Sequence, residues 1–189
     1  MADEITYDNI KEYVLEELKS TLSAVDIGNV ERLKLEILKA DKIFVVGVGR
    51  TLLALQAFAK RLNHLGKKTW FVGEINEPAI TNRDLLIVGS GSGETLFPLA
   101  IAKKAKQFGV TVVHIGSNGN SSMSGYSDLF VRIPAATKLY LDGEIPSRQI
   151  MTSLFEQSLL LFGDILAKMI VEDEQLDLKS LWRMHANLE

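Results

Sequence analysis

The chain has 189 residues, of which 47% are hydrophobic and 24% are charged, and it carries a formal net charge of −3 and no cysteine. This length fits one domain, and the composition is that of a folded globular protein rather than a disordered one. The absence of cysteine excludes disulfides and thiolate chemistry. An acidic chain without a basic stripe gives no electrostatic reason to expect a nucleic acid or a membrane as a partner.

The sequence gives no support for metal or membrane chemistry. The three histidines, His64, His114 and His185, lie too far apart for a metal-ligand spacing, so we do not expect a structural metal. No apolar run reaches the roughly 18 residues of a membrane span, and the first residues do not form the charged and then apolar pattern of a secretion signal. We therefore expect a cytoplasmic protein.

The predicted elements begin with two amphipathic helices between residues 7 and 40, because apolar residues recur there at intervals of three or four. Short runs rich in β-branched and aromatic residues follow at 43–46, 69–72, 85–88, 110–115 and 129–133. These runs are almost continuously hydrophobic, as strands covered by helices on both faces require. The sequence predicts a three-layer α/β fold: a doubly wound, flavodoxin-like, five-stranded parallel sheet flanked by helices and preceded by the N-terminal helices.

A long helix is predicted at 147–171, with apolar residues on more than one face. Its own sheet covers one face, and we expect a second copy of the chain, together with the opening helices, to cover another. The prediction is a homo-oligomer, either a dimer or a homotetramer. The organisation is one domain, with a helical extension at 1–40, an α/β core at 41–171 and a C-terminal helix at 172–189.

Two glycine-containing loops, 47–51 and 89–95, follow predicted strands at the edge of the sheet where doubly wound folds bind their ligands. In the second loop, glycines let the backbone approach an anion, and a helix predicted to begin near Gly93 directs free amides at the same place. Hydroxyl donors come from Ser90, Ser92 and Thr95. We interpret the second loop as a phosphate cradle.

Both loops have a simpler interpretation. Serine and glycine also make tight turns and cap helices, which would explain the second loop without a ligand. The first loop is a lone Gly-x-Gly, and the dinucleotide fingerprint would require glycine where the chain has Leu52. Because the second loop also lacks the lysine of an ATP-binding P-loop, nucleotide ligands are disfavoured.

The Ser-x-Ser-Gly-Glu-Thr loop on this predicted fold resembles the SIS (sugar isomerase) superfamily. From about residue 41 onward the chain resembles one branch of it, the 6-phospho-3-hexuloisomerases. The resemblance rests on 47–50, 57–62, 64–66, 72–74, 78–80 and, most specifically, on 89–95, 153–157 and 185–189. It implies an enzyme that interconverts 3-hexulose 6-phosphate and fructose 6-phosphate without a metal or redox cofactor.

Carried over by position, the resemblance implies that the second loop binds the substrate phosphate while the first loop frames the pocket. The implied binding residues are Gly49, Arg50, Ser90, Ser92, Gly93, Glu94 and Thr95. The implied catalytic residues are Glu156, which matches the proposed base, and His64, which matches a histidine near the sugar. The chain departs from the family pattern at residues 51–52, 75 and 150–152, and the bulky Leu52 and Thr152 would reshape the space for the sugar.

Ketose isomerisation needs a base that takes a proton from the carbon beside the carbonyl and returns it next door through an enediol. Glu156 fits this role, although it would otherwise lie on the exposed stripe of its helix or pair with a basic residue across a subunit interface. His64 would act as a general acid or simply interact with its helix dipole. His185 would enter a neighbour's pocket or stay on the surface, and His114 is expected in the core. The alternatives to this enzyme are a non-catalytic sugar-phosphate-binding regulatory SIS module and another SIS ketose or aldose phosphate isomerase.

Overall fold

A computed structural model describes residues 5–188 of the chain, so residues 1–4 of the predicted N-terminal extension and Glu189 lie outside the described residues. The α-helices are α1 Tyr7–Ser23, α2 Ile27–Lys39, α3 Gly49–His64, α4 Leu96–Lys106 and α5 Ser153–Asp173. The strands are β1 Ile43–Val46, β2 Thr69–Phe71, β3 Leu85–Gly89, β4 Thr111–Gly116 and β5 Leu129–Arg132. Two short 3-10 helices, Ser122–Tyr126 and Ser180–Met184, complete the elements.

All the strands pair in parallel in one sheet, in the order β2-β1-β3-β4-β5. This is the flavodoxin-like order, in which the chain reverses its direction of travel across the sheet between β1 and β3. Ile43 pairs with Leu85 in the register of these two strands, so their carboxyl ends reach the same edge. The predicted α/β fold is confirmed, and the two glycine loops flank its switch point.

Alternate residues of each strand enter two separate apolar cores, which makes the molecule three-layered. On one face, Val45, Ile87 and Ile115 pack with α2, α3 and α5. On the other face, Leu86 and Val112 pack with α4 and the first 3-10 helix. Because both faces are covered, the strands need the continuous hydrophobic runs seen in the sequence.

The opening helices form where the sequence places them, and side chains cap them. The Thr6 hydroxyl accepts a hydrogen bond from the Asn9 amide at 3.2 Å, and the Asp26 carboxylate accepts one from the Asn29 amide at 2.7 Å. Each cap satisfies one of the amides that a helix start leaves unpaired. Neither helix stands apart from the core, because α1 contacts α5 and α2 contacts both β5 and α5.

Three boundaries differ from the sequence prediction. Helix α4 begins at Leu96 rather than near Gly93, because Gly93 adopts a left-handed φ of 70° and cannot belong to a right-handed helix. Helix α5 begins at Ser153 rather than at residue 147, since the preceding turn holds Met151 at φ 57°. At its other end the helix continues to Asp173 and ends before Gln175, which has φ 51°.

The segment 172–189 was predicted as a C-terminal helix, but residues 172–173 end α5, and the rest of its described part forms only the 3-10 helix Ser180–Met184. The Asp177 carboxylate accepts a hydrogen bond from the Lys179 amide at 3.1 Å, a local turn that competes with α-helical hydrogen bonding. Among residues 5–188, no helix is both long enough and apolar enough to cross a membrane.

Candidate functional site

The loop at 89–95 is organised by its own hydroxyl groups. Ser90 Oγ accepts the Gly93 amide at 3.1 Å and donates to Thr95 Oγ1 at 3.2 Å. Ser92 Oγ accepts the Glu94 amide at 3.3 Å. In this network the hydroxyl hydrogens of Ser92 and Thr95 remain available, because both oxygens act as acceptors within the loop.

Several donors of the loop face no partner in the protein. Within residues 5–188, the amides of Gly91, Ser92 and Thr95 donate no hydrogen bond. Thr95 is the N-cap residue of α4, yet its side chain makes no capping bond, which argues against the simpler interpretation of the loop as a turn and cap. Together with the start of α4, these groups form a set of donors suited to an anion.

The surroundings of this loop leave little room for a side chain at two glycines. A Cβ on Gly93 would lie 2.1 Å from Ser121 Oγ, and the left-handed φ of 70° further disfavours any other residue. A Cβ on Gly89 would lie 2.8 Å from a methyl carbon of Leu55, so the end of β3 packs directly on α3. At Gly93 the loop backbone therefore sits closer to Ser121 than a side chain would allow.

The segment after β4 anchors the same loop, and sequence reasoning missed it. The amides of Ser117 and Asn118 donate to the Gly91 carbonyl at 2.9 and 3.1 Å. The side-chain amide of Asn118 donates to the Ser92 carbonyl at 3.2 Å. The signal available in the sequence was position alone, because these residues directly follow a predicted strand at the same edge of the sheet.

Arg50 and Glu156 meet beside the two loops. The Arg50 Nε donates to Glu156 Oε2 in an ion pair, and Thr152 Oγ1 donates to Glu156 Oε1 at 2.9 Å. The Glu156 side chain is 12% exposed, whereas that of Arg50 is 62% exposed. Of the two simpler interpretations of Glu156, the exposed stripe is wrong, and the ion pair exists but lies within one chain.

The start of α5 also reaches the second loop. Phe155, next to Glu156 in sequence, lies 3.6 Å from the position of a Cβ on Gly91. Gly49 begins α3 with φ 55°, which turns the chain directly after β1. The fold therefore brings Gly49, Arg50, the loop 89–95 and Glu156 to one edge of the sheet.

The Glu94 side chain is tied to a neighbouring segment rather than left free. Its Oε1 accepts the Ser122 amide at 2.8 Å. This backbone hydrogen bond lowers the pKa of Glu94, because it stabilises the ionised form. A carboxylate held in this way repels an anion, so only the backbone of Glu94 suits a phosphate site.

His64 lies at the opposite end of α3 from Arg50. The helix has 16 residues and is about 24 Å long, so one chain does not bring His64 to Glu156. Its Nε2 is buried and has no hydrogen-bond partner in the described part of the chain. Burial lowers the pKa of His64, and the positive charges of Lys60 and Arg61 lower it further.

A groove of about 590 Å³ surrounds His64, between the ends of α3 and α5 and the C-terminal segment. The ring of His185 stacks on that of His64 with 5.5 Å between centroids, and Trp182 lies 5.3 Å from His185. His185 therefore packs against its own chain. Nowhere in residues 5–188 do three or more histidine or acidic side chains cluster in a way that would hold a metal ion.

Comparison with known proteins places these features in a family context. The family model described as SIS domain matches residues 36–161. A 3-hexulose-6-phosphate isomerase of Bacillus subtilis is 38% identical over 176 residues, covering 93% of this chain and 95% of that protein. The enzyme of the same name from Mycobacterium gastri is 36% identical over 189 residues, covering 100% of this chain and 94% of that protein.

A solved structure gives the same indication. The crystal structure of a hypothetical protein from Methanococcus jannaschii, described as inferring a molecular function of 3-hexulose-6-phosphate isomerase, matches with a TM-score of 0.82 and 32% identity. The match covers 96% of this chain and 99% of that one. The likeness therefore extends over nearly the full length of both chains.

Proposed function

Because this chain belongs to the SIS domain family, we propose that it is a sugar-phosphate isomerase that interconverts 3-hexulose 6-phosphate and fructose 6-phosphate. The predicted resemblance to the 6-phospho-3-hexuloisomerases is confirmed by relatives of that activity that match along most of the chain. The observation that carries the proposal is the position of Glu156, held by Arg50 and Thr152 beside the loop 89–95.

In this proposal the loop binds the phosphate group. The hydrogen bonds to the phosphate come from backbone amides and hydroxyls that donate to no other group in the described chain. These are the amides of Gly91, Ser92 and Thr95 and the hydroxyls of Ser92 and Thr95. The Ser90 hydroxyl and the turn at Gly93 shape the cradle. A hydrogen bond to a charged group contributes about 1.5–3 kcal/mol, so several of these bonds share the binding energy.

Glu156 is the proposed base. From fructose 6-phosphate, its carboxylate takes the proton of C3, and the electrons of that C–H bond form the C2–C3 double bond while those of the C2 carbonyl move to O2, which gains a proton to give the enediol. The resulting carboxylic acid then returns its proton to C2, where the double-bond electrons form the new C–H bond. The O3–H electrons form the carbonyl at C3, and the proton that O3 releases balances the one that O2 gained. Each proton transfer by a positioned group typically accelerates a reaction about 10²–10⁴-fold.

Arg50 serves two purposes in this scheme. Its ion pair orients the Glu156 carboxylate, and as an exposed guanidinium it can also reach a phosphate or sugar oxygen. Gly49 leaves this side of the pocket open, since in the described part of the chain no atom beyond its neighbours in sequence and its own helix backbone lies within 4 Å of the position its Cβ would occupy. Together they frame the pocket from the side of β1.

We also propose that the protein is a homo-oligomer, a dimer or a tetramer, in the cytoplasm. Helix α5 contacts α3, α1 and α2 within its own chain, yet Leu160, Leu161 and Ile165 remain 38–49% exposed on it. In an oligomer His64 would act on a sugar held by another copy, because its own Glu156 is beyond reach. A monomer by analytical ultracentrifugation would exclude this part of the proposal.

The experiment that tests the function is product analysis by NMR after incubation of the protein with fructose 6-phosphate, alongside calorimetric titration with the same sugar. Formation of 3-hexulose 6-phosphate supports the proposal. Binding without any new sugar indicates a sugar-phosphate-binding regulatory module instead. Turnover of heptose or arabinose phosphates, but not of fructose 6-phosphate, indicates another SIS isomerase.

A further inference from the structure

His114 lies on strand β4, and its side chain packs against the loop 89–95. It is a residue of β4 and is 1% exposed. Its Nε2 lies 2.9 Å from the Ser90 carbonyl oxygen, which also accepts the Gly93 amide at 3.2 Å. A carbonyl oxygen can only accept, so the Nε2 of His114 carries the hydrogen and donates it.

Neighbouring groups confine the imidazole ring of His114 on several sides. Its ring packs on Phe130 with 5.0 Å between ring centroids. A Cβ on Gly116 would lie 2.4 Å from His114 Nε2 and 2.4 Å from the Ser90 oxygen, so only glycine fits beside this hydrogen bond. On the loop side, His114 Cε1 lies 3.2 Å from the Cβ position of Gly93. The ring thus fills the space under the turn from Ser90 to Gly93.

The ring is held in its neutral form by its location. Burial lowers the pKa of His114, and the hydrogen bond to the Ser90 carbonyl opposes this effect. No charged side chain contributes to the shift. A neutral imidazole with the hydrogen on Nε2 satisfies the Ser90 carbonyl without placing an unpaired charge in the core.

We propose that His114 is a positioning residue for the phosphate loop. Its hydrogen bond fixes the Ser90 carbonyl, and this carbonyl closes the turn that directs the amides of Gly91 and Ser92 outward. The inference rests on the proposed function, since it assigns to His114 a part in binding the phosphate of the substrate. His114 acts through the loop and does not touch the ligand.

The opposing explanation is that His114 only fills the core. Both explanations predict lower stability when the side chain is changed, but only positioning predicts weaker phosphate binding in a folded variant. His114→Leu keeps the volume and removes the donor. His114→Gln keeps a donor near the place of Nε2, and Val112→Ala opens the same core two residues earlier on β4 without touching the loop.

The test is titration of each folded variant with inorganic phosphate and with fructose 6-phosphate, at a temperature well below the unfolding midpoint of the least stable variant. We expect His114→Leu to weaken both ligands about 2- to 10-fold, the loss of one neutral hydrogen bond. Its KM should rise by a similar factor while kcat changes less. His114→Gln should restore the affinity to within about 2-fold, and Val112→Ala should lose stability but keep the affinity.

Wild-type affinity in His114→Leu, or an equal loss in Val112→Ala, would show that His114 only fills the core. If His114→Leu does not fold, His114→Asn replaces it, because its shorter side chain does not reach the Ser90 carbonyl. If the wild-type protein binds neither ligand, the proposed function and this inference fail together. If the wild type binds and His114→Leu binds equally well, the inference alone fails.

Discussion

The guanidinium of Arg50, in the first turn of α3, pairs with the carboxylate of Glu156, in the first turn of α5. This contact joins residues 106 positions apart in sequence at the edge of the sheet where the phosphate-type loop lies. It places a carboxylate, a guanidinium and the proposed phosphate loop at one edge of the sheet. These are the groups that the proposed isomerisation would use.

Replacement of Glu156 by glutamine removes the proposed base while it keeps the size of the side chain. We expect Glu156→Gln to lower kcat by about 10²–10⁴-fold and to leave the affinity for fructose 6-phosphate nearly unchanged. Steady-state kinetics and calorimetry measure the two quantities. The control is Glu172→Gln, an exposed glutamate of the same helix that pairs with Lys168, which should behave as wild type. Parent-like turnover of Glu156→Gln would reject the base assignment.

Arg50→Ala should affect both binding and turnover. Loss of the guanidinium releases the Glu156 carboxylate and removes a cation from the pocket, so we expect KM to rise and kcat to fall, by roughly 10-fold in kcat/KM. Arg83→Ala is the matched control, because Arg83 forms an exposed ion pair with Asp41 far from the site. Equal kinetics of the two variants would mean that Arg50 has no part in the site.

The hydroxyls of the loop should each contribute a share of phosphate affinity. We expect Ser92→Ala and Thr95→Val to weaken the binding of inorganic phosphate by roughly 10-fold or more, because each loses a bond to a charged group. Ser20→Ala, on the exposed side of α1, should bind as the wild type does. Calorimetric titration measures the affinities. If both loop variants bind phosphate as tightly as the control, the loop is only a turn and does not bind phosphate.

Glu17 holds α1 against the segment that leads into α5. Its carboxylate accepts bonds from the Ser147 hydroxyl at 2.7 Å, the Arg148 amide at 2.9 Å and the Gln149 side chain at 3.0 Å. Because these donors lose their partner, Glu17→Ala should lower the free energy of unfolding by about 1–3 kcal/mol. Urea denaturation measures it, and the exposed neighbour Glu16→Ala should change it little.

Stability should also fall at mildly acidic pH. The lowered pKa of His114 means that, between this value and the ordinary value of about 6.5, the unfolded chain binds a proton that the folded chain does not. Stability is therefore full above about pH 6.5 and decreases as the pH drops toward the folded pKa. His64 shifts in the same direction. Denaturation across this range should show a weaker pH dependence for His114→Gln than for wild type, and an unchanged slope would contradict the assignment.

The strands and opening helices were predictable because the spacing of their apolar residues reflects which side chains are buried. Examples are the continuous apolar run 43–46 and the helical spacing in α2. The starts of α4 and α5 were not, since they depend on positive φ values at Gly93 and Met151 that composition does not reveal. The pairing of Arg50 with Glu156 and the hydrogen bond from His114 to Ser90 are tertiary contacts. They follow from the order of strands in the sheet, which a single sequence indicates only in outline.

The most direct measurement is NMR of fructose 6-phosphate in heavy water with the wild-type protein and with Glu156→Gln. The account predicts that the wild type introduces deuterium at C3 and produces 3-hexulose 6-phosphate, and that Glu156→Gln does neither while it still binds the sugar. Binding by the wild type without deuterium at any carbon would contradict isomerisation. Equal deuterium incorporation by both proteins would contradict the role of Glu156.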